Sequence, residues 1–68
     1  MLSIRSAEGW RTIAPTDVVA IYRDDNDRAG EYVSAVLVLV GGEEVAGIVS
    51  DDALRRVEAL IADLGDAA

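Results

Sequence analysis

The chain has 68 residues with no cysteine and no histidine, and its 6 basic residues, all arginine, face 13 acidic ones for a formal charge of −7. Disulfides, thiolate or imidazole metal sites and histidine-based catalysis are therefore excluded. A field of this sign also repels nucleic-acid phosphates, so no direct nucleic-acid binding is expected.

With 51% hydrophobic and 28% charged residues the composition is globular. Residues 1–68 read as one domain. A chain this short buries only roughly 60–65% of the surface its unfolded form exposes. Domains below about 70–80 residues usually rely on disulfides, a metal or oligomerisation, and of these oligomerisation is the one left. An unusually well-packed single core is the alternative.

Leu2 and Ile4 alternate with polar neighbours, as in a half-buried strand. "SAEG" (6–9) reads as a turn and "WRTIA" (10–14) as a candidate returning strand that Pro15 stops. "VVAIYR" (18–23) has the β-branched and aromatic composition of a strand. "EYVSAVLVLV" (31–40) is the longest predicted strand, "GG" (41–42) a tight turn, and "EEVAGIV" (43–49) its antiparallel return. Gly47 inside that strand predicts a bulge or a close backbone approach.

From Ser50 the period changes to that of a helix. Ser50 or Asp51 can cap it, and Asp51 and Asp52 suit the positive end of its dipole. Leu54, Val57, Leu60, Ile61 and Leu64 form one apolar stripe. Asp51 with Arg55, and Asp52 with Arg56, are favourable i,i+4 pairs, and Gly65 is placed to end the helix. The expected fold is α+β: a small antiparallel β-meander of about four strands followed by one C-terminal α-helix.

That fold has one apolar face too many. Over residues 33–40 one face carries Val33, Ala35, Leu37 and Leu39, and the other Ser34, Val36, Val38 and Val40. A sheet with one wet face alternates more cleanly, and one helix of about 14 residues, near 21 Å long, covers one face only. The second face is expected to be covered by another copy, by barrel closure or by a different protein. Val36, Val38 and Val40 are the candidate oligomer interface. Trp10 either packs in the core or anchors that interface.

"RDDNDRAGEY" (23–32) reads as a solvated tip joining two strands, with Asx-turns and a glycine at an unusual φ. Asp24, Asp25, Asp27 and Arg28 would face any basic partner there. An EF-hand loop begun at Asp25 puts Ala29 at position five and Val36 at position twelve, which removes that reading. Tyr22 and Tyr32 are expected to pair across this hairpin. The serines have neither histidine nor lysine as a base, and no phosphate-binding glycine loop occurs. No enzyme activity, cofactor or metal is expected.

The run "VSAVLVLV" is far shorter than the roughly 20 residues of a spanning helix. No membrane partner is expected, and the cytoplasm is the expected compartment. Arginine without lysine, among many Ala, Val and Asp, fits a GC-rich bacterial or phage gene.

The order of "MLSIR", "EG" (8–9), "TDVVAIY" (16–22), "GGEEVAGIVS" (41–50) and "DDALRRVEALIADL" (51–64) resembles the small flagellar proteins of the FlbD/SwrD type. The resemblance implies a fold of short strands turned by glycines and closed by a helix; no functional residue is carried over from it. The expected function is that of a non-catalytic, self-associating interaction module. The alternatives are a small acidic inhibitor, of the phage anti-defence or antitoxin kind, that blocks a basic nucleic-acid-handling partner, and a small-ligand binder with its pocket between subunits.

Overall fold

A computed structural model describes the backbone of residues 1–66 and the side chains of residues 1–63. Five strands precede one helix: β1 (Leu2–Ser6), β2 (Gly9–Ile13), β3 (Val18–Ala29), β4 (Tyr32–Leu39), β5 (Glu44–Ser50) and α1 (Asp51–Asp66). They form one antiparallel sheet in the order β2-β1-β5-β4-β3. The α+β architecture is the expected one, with a fifth strand because Gly9–Ile13 does return along β1, from Ser6 opposite Gly9 to Leu2 opposite Ile13.

Strand parity decides what is buried. Leu2 and Ile4 of β1, Val33, Ala35, Leu37 and Leu39 of β4, and Val45 and Val49 of β5 all point to one face, where they are buried with Leu54 and Val57 of α1. Burial of each Val, Leu or Ile side chain among them is worth about 1.5–3 kcal/mol. Ile61 packs at the margin of this core, whereas Leu60 is half exposed, so the helical stripe is narrower than its sequence spacing implies. The side chain of Leu64 lies outside the described residues. The helix runs one residue past Gly65, to Asp66.

Two local features shape the sheet. The glycine pair at 41–42 takes positive φ at both residues, and the N–H of Leu39 reaches the carbonyl of Glu43 at 2.7 Å to close the β4–β5 turn. Gly47 is the close approach its position predicts. A Cβ built there would lie 2.8 Å from the carbonyl carbon of Arg5 and 3.1 Å from Cγ1 of Ile4. The backbone of β1 therefore lies against β5 at a position where only glycine fits.

Gly47→Ala is accordingly expected to destabilise the fold by about 2–3 kcal/mol, at the upper end of ordinary overpacking costs because the obstacle is backbone. Urea unfolding followed by circular dichroism measures this. A loss below about 0.5 kcal/mol would mean that β1 and β5 are less tightly apposed.

Candidate interaction surface

The face of the sheet away from α1 is open. The sheet does not close on itself, because β2 and β3 are its two edges. One row of side chains crosses all five strands on this face: Asp24 of β3, Ser34 of β4, Ile48 of β5, Arg5 of β1 and Trp10 of β2. Tyr22, Val36 and Ala46 form the next row, and Ala20, Val38 and Glu44 the one after. Trp10 is 64% exposed, Tyr22 65% and Ile48 43%. Trp10 is thus no core residue. Its neighbours in the β1–β2 hairpin put it on the outer face, opposite Arg5.

The relief of this face is uneven. Arg5, Trp10, Ala29, Tyr32 and Ile48 line a hollow of about 370 Å³. A second, of about 270 Å³, lies over Tyr22, Ser34, Val36, Ala46 and Ile48. Val36 and Val38 line the same face, half-buried by their neighbours. Val40 follows the end of β4 and is exposed at the rim, where its N–H donates to the carbonyl of Asp17 at 2.8 Å. Arg5, Tyr22, Tyr32 and Ile48 belong to the surface as well. Their signal in the sequence was parity: Arg5 alternates with Ile4, and Ile48 with Val49.

The acidic stretch leads into the hairpin turn and does not form it, although Gly30 in that turn takes the unusual φ expected of it, +62°. β3 continues through it to Ala29, and the turn is confined to Gly30 and Glu31, between the paired residues Ala29 and Tyr32. Asp24 pairs with Ser34 and Arg28 with Val33, so Asp25, Asn26 and Asp27 form a bulge on the edge strand. This also separates the tyrosines: Tyr22 lies opposite Val36 and Tyr32 opposite Ala29, so the expected aromatic pair does not form. Asp24 accepts the N–H of Asn26 at 3.2 Å, Asp25 accepts from Arg23 at 3.0 Å, and Asp27 accepts from the hydroxyl of Ser34 at 2.9 Å. The three carboxylates are exposed but turned to different partners, and Asp27 is drawn to the open face.

Both ends of the bulge are fastened to one carboxylate on the helix side. Arg23 donates to Oδ1 of Asp51, and Arg28 to Oδ2 at 3.3 Å. Arg28 thereby serves the junction with the helix more than an outward surface. Arg55 approaches Asp51 at 3.5 Å, and Arg23 also donates to Glu58 at 2.9 Å. Asp51 is only 9% exposed, and its N–H donates to the carbonyl of Glu31 at 2.8 Å. The hydrogen bond from Arg23 holds the Asp51 carboxyl below the usual aspartate range, against the opposing effect of burial and with further help from the charges of Arg23 and Arg55 and a hydrogen bond from Arg28. At the far end of the sheet Arg11 grips Glu43 through two hydrogen bonds of 2.8 and 3.1 Å, which lowers the Glu43 carboxyl. The i,i+4 pair of Arg56 with Asp52 forms at 3.3 Å.

One arginine stands apart. Among the described residues every other arginine has an acidic partner, while Arg5 has none and sits on the open face beside Trp10 and Ile48. No helix among the described residues is long and apolar enough to cross a membrane. No protein-family model, curated protein or solved structure matches the chain.

A depressed aspartate stabilises the fold above its unfolded pKa of about 3.9, and that contribution is lost as pH falls through the lower folded value. The thermal midpoint is thus expected to be flat from pH 7 to about 5 and to fall below about pH 4. Asp51→Asn should melt several degrees below the parent at neutral pH, and the gap should shrink as the parent's carboxylate protonates. A gap independent of pH would show that Asp51 acts through packing and not through its charge.

Proposed function

We propose that this protein is a non-catalytic interaction module, working in the cytoplasm, that self-associates through the open face of its sheet. The observation that carries this reading is the largely apolar surface opposite the helix, where Trp10, Tyr22, Tyr32, Val36, Val38 and Ile48 share one side of the sheet with Arg5 and Ser34 among them. Contiguous exposed patches of several hundred Å² on small proteins mark contact sites. Aromatic residues of this kind supply much of the energy where such contacts form.

The dimensions suit a second copy. Five strands at about 4.8 Å spacing, averaging about seven residues at 3.3 Å, give a footprint of roughly 500 Å². Two facing copies then bury about 1,000 Å² before side-chain relief is counted, the scale at which specific association begins. A chain with neither disulfide nor metal-binding cysteines and histidines gains stability from that burial. The absence of histidine and lysine from the sequence supports the non-catalytic part of the reading.

Light scattering behind a sizing column, over a range of concentrations, is expected to give a stable multiple of the 7.2 kDa chain mass. Ile48→Asp and Val36→Asp should each yield monomers with an unchanged far-ultraviolet circular dichroism spectrum. Val40→Asp, at the rim, should weaken association less. A parent chain that stays monomeric at every concentration would overturn the proposal.

A further inference from the structure

The open face carries its own complement. We infer that two copies pack face to face about a two-fold axis that runs along β5 through Ile48, with Arg5 of each copy paired to Asp27 of the other. This rests on the self-association reading and specifies how the two surfaces meet.

The row that crosses the sheet has Ile48 at its centre, with Asp24 and Ser34 on one side and Arg5 and Trp10 on the other. A two-fold axis in the interface, parallel to the strands at Ile48, keeps this row in place and reverses its order on the second copy. Ile48 then meets Ile48, Arg5 meets Ser34, and Trp10 meets Asp24. Because Asp27 holds the Ser34 hydroxyl at 2.9 Å, a carboxylate lies where the guanidinium arrives. Sheets packed about 10 Å apart, with their central strands parallel about this axis, leave these inner strands within reach of a long arginine side chain.

Three observations favour this arrangement. Arg5 is the arginine without an acidic partner among the described residues, in a chain with 13 acidic residues. The exposed Trp10 ring is brought to the side of the sheet where Tyr22, Ser34, Val36 and Ala46 line a hollow of about 270 Å³. The other simple two-fold, perpendicular to the strands at the level of this row, would set Arg5 against Arg5, and like charges facing each other oppose association. Net charge of −7 per chain also disfavours unspecific stacking, so a local pairing of opposite charge gives this contact its selectivity.

The test is a charge exchange. Arg5→Glu alone and Asp27→Arg alone are each expected to weaken the dimer about tenfold or more, the scale of coupled charge pairs at interfaces. Mixed one to one, the two variants should form a heterodimer of near-parental affinity, because each interface pair again joins opposite charges. Native mass spectrometry and sizing read this directly, and circular dichroism checks that each variant is folded. If the variants dimerise as the parent does while Ile48→Asp is monomeric, the open face is the interface but the Arg5–Asp27 pairing is wrong. If both are weakened and mixing restores nothing, the axis is wrong. If Ile48→Asp dimerises as the parent does, the face reading itself is overturned and this inference with it.

Discussion

A single helix of 16 residues has to cover a sheet of five strands, and it covers one side. At 1.5 Å per residue α1 is about 24 Å long, enough to cross the strands but not to wrap around them. Everything else in the molecule follows from that limit. The residues that alternate toward the helix, Ile4, Leu37 and Val49 among them, lose their water entirely. Those that alternate away, Tyr22, Ile48 and Trp10, keep it. The apolar composition of β4 on both of its faces therefore leaves Val36 and Val38 on a side of the sheet that no third layer covers among the described residues.

Charge is distributed to manage that exposure. The edge strand β3 is bulged and carries acidic residues at its free side, two of the ways by which proteins discourage a foreign strand from adding to a sheet. The other edge, β2, is only five residues long. Ion pairs sit along the helix and at the edges: Arg11 with Glu43, Arg56 with Asp52, and the cluster around Asp51. The first two are exposed and contribute little to stability, but together with the cluster around the buried Asp51 they occupy the arginines and leave the centre of the open face to apolar groups and Arg5. With a net charge of −7, the field of the whole chain is repulsive toward its own copies.

The elements that pack were legible in the sequence, and those whose conformation depends on a distant partner were not. The alternation of Leu2 and Ile4, the β-branched run of β4, the glycine pair at 41–42 and the change of period at Asp51 all express local rules. Gly47 was legible as a bulge or a close backbone approach, and that it is the approach of β1 is a tertiary fact. The stretch from Arg23 to Tyr32 obeyed a different logic. Its Asp, Asn and Gly residues have turn chemistry, yet Arg23 and Arg28 both reach Asp51, 28 and 23 residues further on. That long-range anchor turns an apparent loop into a bulged strand, and no local propensity encodes it. Trp10 was ambiguous for a related reason. Its face depends on whether the strand before it pairs, and the pairing of Arg5 with Trp10 is a tertiary fact.

The Asp51 cluster links the two sides of the sheet. Arg23 precedes the bulge and Arg28 follows it, and both are held by the same carboxylate at the start of the helix. With the two ends of the bulge held on that side, Asp27, the last of its three unpaired residues, crosses to the opposite face and accepts from the hydroxyl of Ser34. A residue on the solvent side of the sheet thus owes its position to an ion cluster on the core side. The docking of the helix and the shape of the open face are tied to one arrangement of side chains.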